Sequence, residues 1–174
     1  MTRMRTCCKA AAMAIALAGM VPLSAAAATI NVPADQSTIQ AAINAANAGD
    51  LVEVDIGTYR ENLVLRSNVS VRGIEAARTF LRAQDDSLPV VEANNIENML
   101  FANFTFIDSA NGVLIANSRI TLASNIFDSL SGAAVTVDVG LLSDVEIVNN
   151  VFWRNNVSID RFVPLASVIN NIFA

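Results

Sequence analysis

From residue 29 onward the hydrophobic positions follow two periods in turn. Ile39, Ala42, Ile43 and Ala46 fall at i, i+3, i+4 and i+7, which predicts an amphipathic helix over residues 38–48. Ser37-Thr38-Ile39-Gln40 reads as a capping box, with Ser37 accepting from the Gln40 amide and Gln40 reaching back. Gly49-Asp50 stops the helix. Beyond Gly49 the pattern changes to brief β-branched or apolar runs separated by turn residues. These are Leu51–Val54, Leu63–Leu65, Val69–Val71, Phe80–Leu81, Val90–Val91, Gly112–Ile115, Arg119–Leu122, Ala134–Val137, Val145–Val148 and Ala166–Ile169. Short strands alone would allow a sandwich or a barrel.

A repeat decides between architectures. Phe106, Phe127, Phe152 and Phe173 bring similar contexts into line: Phe104-Thr105-Phe106, Asn125-Ile126-Phe127, Asn150-Val151-Phe152 and Asn171-Ile172-Phe173. A spacing of roughly 20–25 residues with two or three strands inside it is one coil of a parallel β-solenoid. Equivalent side chains then stack at the strand spacing of about 4.8 Å. The four phenylalanines are expected to form an aromatic stack inside, and Asn125, Asn150 and Asn171 a ladder at a turn. The expected fold is all-β: a right-handed parallel β-helix of about five coils with an N-terminal capping helix. The chain stops at Ile172-Phe173-Ala174, on the repeat's own apolar strand. That reads as a solenoid cut short, whose uncapped last coil would drive self-association.

Composition changes the picture at the N-terminus. Arg3, Arg5 and Lys9 precede an apolar run from Ala10 to Val21, and Ala25–Ala28 offers a small-residue cleavage site. Residues 1–28 therefore read as a secretory signal peptide and the product as secreted or periplasmic, with no membrane span after cleavage. Residues 29–50 then hold the leading strand and capping helix, and residues 51–174 the coils. Cleavage would remove three of the 11 basic residues and none of the 16 acidic ones, leaving a net charge of −8. It would also remove both cysteines and the single lysine, and the chain has no histidine. These losses exclude a disulfide framework, a Cys/His zinc site, a Schiff-base lysine and any histidine triad. An acidic surface without lysine argues against nucleic acid as a partner.

One stretch carries a resemblance. Ile30-Asn31-Val32-Pro33-Ala34-Asp35, Ser37-Thr38-Ile39-Gln40-Ala41-Ala42-Ile43, Ala48-Gly49-Asp50-Leu51-Val52-Glu53-Val54 and Gly57-Thr58-Tyr59-Arg60-Glu61-Asn62 follow one another in order. Together they resemble the N-terminus of the right-handed parallel β-helix (pectin lyase-like) superfamily. The resemblance implies that the helix caps the solenoid and that Gly57-Thr58-Tyr59 turns into the second strand. Many members act on acidic carbohydrate. The pectin methylesterase aspartate motif is absent, as is the polygalacturonase set apart from Asp85-Asp86, and the lysine of pectate lyases has no counterpart.

Candidate chemistry rests on two groups. Asp108, Asp128 and Arg154 follow the repeating phenylalanine by two, one and two residues and are placed on equivalent turns of successive coils. Stacked carboxylates beside an arginine would suit general acid/base or lyase chemistry on a uronate. Asp138, Asp144 and Glu146 form a second acidic group, with Ca2+ as the cation it would take. Trp153 and Tyr59 are candidates for stacking on a sugar ring. The expectation is an exported carbohydrate-associated binding or structural module, or the N-terminal fragment of a longer carbohydrate-active protein. The alternative is a lyase or pectinesterase-like enzyme on acidic polysaccharide.

Overall fold

The computed structural model describes residues 26–138, 144–160 and 166–174. The expected signal sequence lies almost wholly outside the described residues. The chain winds as a parallel β-solenoid of about six turns, one more than the repeat suggests. Its strands are β1 Thr29–Val32, β2 Leu51–Val54, β3 Gly57–Arg60, β4 Leu63–Val64, β5 Ser70–Gly73, β6 Thr79–Arg82, β7 Val91–Asn94, β8 Met99–Ala102 and β9 Thr105–Phe106. They continue with β10 Val113–Ala116, β11 Arg119–Ala123, β12 Ile126–Asp128, β13 Ala133–Asp138, β14 Asp144–Val148, β15 Val151–Trp153, β16 Val157–Asp160, β17 Ala166–Ile169 and β18 Ile172–Phe173.

Three parallel sheets result. The first runs β1-β2-β5-β8-β11-β14-β17, the second β3-β6-β9-β12-β15-β18 and the third β4-β7-β10-β13-β16. Because side chains alternate along a strand, each sheet sends one set of columns inward. Val52, Val71, Phe101, Leu122 and Ile147 are in register in the first sheet, and all are buried. In the third, Leu63, Val91, Val113 and Val135 do the same.

The second sheet carries the repeating phenylalanines. Its inward column reads Tyr59, Leu81, Phe106, Phe127, Phe152, Phe173. Ring centroids are 4.6, 4.9 and 4.9 Å apart along the four phenylalanines, with interplanar angles of 15° or less. The asparagine ladder also forms. The Oδ1 of Asn150 accepts from the backbone N–H of Asn125 at 2.8 Å and from its Nδ2 at 3.2 Å. Asn171 repeats both bonds to Asn150, at 2.8 and 3.1 Å.

From β8 onward the described coils turn these corners with a left-handed residue. Asn103, Ser124, Asn149 and Asn170 follow successive strands of the first sheet with φ between 54° and 63°. Asp108, Ser129 and Arg154 do so after the second, with φ of 48°, 58° and 53°. Asn and Asp take this conformation at the lowest cost after glycine, which accounts for the asparagine-rich composition. At Gly73, which ends β5, a side chain has no room: a Cβ there would stand 2.2 Å from the Asn103 carbonyl oxygen of the next coil.

The helix α1 is Ile39–Ala45, shorter than expected because Ala46 already turns extended at ψ 145°. Ile39, Ala42 and Ile43 are buried against β1, β2 and β4. Its N-cap is Thr38, whose side chain accepts from Ala41 N–H, and not Ser37. The Ile39 and Gln40 amides donate instead to the two carboxylate oxygens of Glu61, at 3.0 and 2.9 Å. Gln40 does not reach back; its side-chain amide pairs with both the N–H and the C=O of Val64 at the edge of the third sheet. Gly57-Thr58-Tyr59, expected as a turn, is part of strand β3.

Candidate functional site

Each expected site residue has a definite place. Aligned on the phenylalanine column, Asp108, Ser129 and Arg154 share the left-handed corner, two positions on from Phe106, Phe127 and Phe152. Asp128 stands one position earlier and pairs with Trp153, on the strand itself. The expected single stack of Asp108, Asp128 and Arg154 is therefore split between two columns. The two polar turns differ by one residue in where their first charged side chain falls, and the backbone follows the strand register.

The partners differ as well. Asp108 Oδ2 lies 3.7 Å from Arg82 Nη1, an exposed and hence weak ion pair. Asp128 Oδ1 accepts from the Ser129 hydroxyl at 2.7 Å. The Arg154 guanidinium sits 5.1 Å from the centroid of the Trp153 ring, at cation–π distance. A groove of about 270 Å³ joins Asp86, Asp108, Ser129 and Ser131.

These residues border the outward face of the second sheet. Tyr59, Leu81, Phe127 and Phe152 turn inward, so Arg60, Arg82, Asp128 and Trp153 turn outward. Arg60 and Arg82 are register neighbours. Arg60 lies over the following coil, its Nε donating to the Ala83 carbonyl at 3.3 Å. The Nε of Arg82 is buried without a hydrogen-bond partner among the described residues. Trp153 is 41% exposed. Tyr59 differs: its ring packs against the core and its hydroxyl donates to the Asp55 carbonyl at 3.0 Å. Burial, then the charges of Asp55 and Glu61, push its phenol above the usual range.

The second acidic group is divided between sheets. Asp138 ends β13 in the third sheet, whereas Asp144 and Glu146 lie on the exposed side of β14 in the first. Asp144 is in register with Arg119 and Glu146 with Thr121, whose hydroxyl donates to Glu146 Oε2 at 3.1 Å. Among the described residues, no group of three or more His, Cys, Asp or Glu side chains is placed to hold a metal ion.

Polar residues of the resembling stretch, and Arg66 just beyond it, have structural duties. Glu61 holds the start of α1, and Arg66 Nη1 donates to the carbonyls of Ile43, Asn44 and Ala46 at its end. Asn62 pins the 84–89 loop: its Nδ2 donates to Asp85 and Pro89 carbonyls and its Oδ1 accepts from Gln84 and Asp85. Within that loop, hydrogen bonds from the Ser87 hydroxyl and backbone N–H hold Asp85 below the usual carboxylate range. The outward arginines Arg60 and Arg82 were not singled out from sequence. The signal that marks them is their 22-residue separation, one coil.

No protein-family model matches the sequence, and no curated protein matches it. Among solved structures, the chain is similar to the crystal structure of an alginate lyase from Paenibacillus sp. str. FPU-7, with a TM-score of 0.56 and 10% sequence identity. The match covers 84% of this chain and 66% of the lyase, so this chain spans just under two thirds of that protein. At that identity the likeness is one of fold. By its three parallel sheets, its coil-by-coil register and this neighbour, the chain is a parallel β-helix.

Proposed function

We propose that this protein is an exported module that binds acidic polysaccharide along the outward face of the second sheet. The observation that carries the reading is the outward pair Arg60 and Arg82 on adjacent coils, with the Trp153–Arg154 pair on the same face beyond the coils of Ile107 and Asp128. Guanidinium groups hold carboxylates with directed hydrogen bonds, and an indole face accepts the apolar side of a sugar ring. A chain molecule lying along the solenoid axis would meet the arginine pair first and the indole pair after two intervening coils. Exposed charges beyond about 8 Å are largely screened in physiological salt, so the carboxylates that compete with a bound uronate are the near ones, Asp108 beside Arg82 and Asp128 beside Trp153. The likeness to a polysaccharide lyase supports a carbohydrate role.

Binding, and not turnover, is the better reading of Asp108 and Asp128. One is paired with Arg82 and the other with Ser129, in separate columns. The test is calorimetric titration of the purified chain with alginate, polygalacturonate and a neutral glucan, alongside unsaturated-uronate absorbance with and without calcium. The expected result is uronate binding that weakens with salt. Arg60→Ala with Arg82→Ala should lower it at least about tenfold, or about 1.4 kcal/mol, with the melting curve checked for folding. A folded chain that ignores both uronates overturns the reading. Absorbance that rises and is abolished by Asp128→Ala replaces it with the lyase alternative.

A further inference from the structure

The outward face of the first sheet holds a second group of charged side chains, apart from the arginines of the second sheet. Along β11 and β14 the inward residues Ile120, Leu122, Val145 and Ile147 are buried, so Arg119, Thr121, Asp144 and Glu146 turn outward. The register sets Arg119 beside Asp144 and Thr121 beside Glu146, one strand spacing of about 4.8 Å apart. Asn98 comes one residue before Met99, the partner of Ile120, and so continues the Arg119–Asp144 row onto the coil before. A cavity of about 180 Å³ opens between Asn98, Arg119, Thr121, Asp144 and Glu146.

The charges there are of both signs and are not spent on one another. Arg119, Asp144 and Glu146 are exposed, and among the described residues the Arg119 guanidinium has no hydrogen-bond or ion-pair partner. Glu146 accepts from the Thr121 hydroxyl on Oε2, which steadies its carboxylate.

We propose that this cavity is a binding site for a free basic α-amino acid, with Arg119 taking its carboxylate and Asp144 and Glu146 its two ammonium groups. Charge chooses the class. Two carboxylates beside the arginine oppose a simple anion, and the guanidinium opposes a simple cation. A ligand with one negative and two positive groups matches one positive and two negative side chains. Guanidinium meets a carboxylate with two parallel N–H donors, and each ammonium brings three donors for carboxylate oxygens. Asp144 and Glu146 are two residues apart on one strand, about 6.6 Å, so each can take its own ammonium group at the two ends of a short aliphatic chain. The cavity is smaller than the roughly 300–1,000 Å³ of pockets for drug-sized ligands, which limits the occupant to one small unit. The site lies on a different sheet from the proposed polysaccharide face and does not depend on it.

The test is equilibrium dialysis of the full chain against radiolabelled L-lysine, with competition by L-alanine, L-glutamate and cadaverine, which is lysine without its carboxylate. The expected result is saturable lysine binding, at least about tenfold tighter than that of each competitor, since each lacks at least one charge-assisted pair. Arg119→Ala and Glu146→Gln, each checked by its melting curve, should weaken lysine at least about tenfold, whereas Arg119→Ala should not weaken cadaverine. The comparison among ligands uses the unaltered chain and stands whether or not a variant folds. No saturable lysine binding to a chain that melts cooperatively overturns the proposal. Cadaverine binding as tightly as lysine also overturns it, because the group is then an unselective acidic patch. Glutamate binding as tightly as lysine does the same, because Arg119 then acts alone.

Discussion

Asn150 shows how much one side chain does in this fold. It is fully buried, and its Nδ2 donates to the Leu122 carbonyl at 2.9 Å while its Oδ1 receives two donors from Asn125. Removing it leaves a backbone N–H and a carbonyl of the coil below without partners in an apolar interior. Asn150→Ala is therefore expected to cost about 3 kcal/mol, at one to three per stranded group, read by urea denaturation. A loss below 1 kcal/mol would mean that water replaces the amide. The ladder was legible in the sequence because identical residues recur beside identical rings. Its lower end was not, since Phe104 stands where an asparagine would, and its own N–H donates to Asn125 Oδ1 at 3.1 Å. The corner positions were legible as turns but not as columns. Asp108 and Asp128 look equivalent by type, and only the backbone register shows that Ser129 is the partner of Asp108.

At the scale of elements, α1 depends on residues a coil away. Seven residues make a marginal helix in isolation. Glu61 supplies acceptors to two of its first amides, a favourable charge at the positive end of the helix. Glu61→Ala is expected to destabilise the chain by about 1–2 kcal/mol, with amide exchange of residues 39–45 accelerated more than that of β11 or β12. Uniform acceleration would contradict a local role. The helix was legible from its apolar spacing, but its cap was not. The sequence offers Ser37, Thr38 and Gln40 side by side, and the choice among them is made by Glu61 and Val64, which sequence proximity does not reveal. Strands β8 and β16 were missed for a related reason. Met99–Ala102 is apolar throughout and does not alternate, while Val157–Asp160 alternates over four residues only, and each is a strand because its neighbours in the sheet are. The early coils escaped the repeat because Tyr59 and Leu81 hold the column that phenylalanine fills later.

For the molecule as a whole, Asp50 links folding to pH. It is buried, and in the full-length chain its carboxylate accepts from the N–H groups of Ala28 and Asn47, both at 2.8 Å, which tie the leading strand to the helix exit; cleavage after Ala28 would leave the Asn47 bond. Those bonds, Ala28 first, hold its carboxyl below the ordinary value. A group depressed in the folded state stabilises it above the unfolded value of about 3.9, and that stability is lost as pH falls through the folded value. The chain should lose stability below about pH 4, and Asp50→Asn should be less stable at pH 7 with a flatter acid limb in thermal melts. Parallel acid limbs would assign the loss to Asp35 and Asp85, which are also held low by hydrogen bonds. The fold itself was legible at this scale from periodicity. The candidate surface was not, because Arg60 and Arg82 become neighbours only once the length of a coil is known.

The strictly in-register stacking has a mechanical consequence. Each strand pairs only with its equivalents in the coils on either side, and the covalent chain enters each coil from one neighbour and leaves to the other. A pull on one strand therefore loads first the bonds of its own coil, and those of the coil beneath feel the force only after it has peeled away. Such a molecule is weak against unwinding from its end and resistant to tension spread along its axis, as a wound spring is.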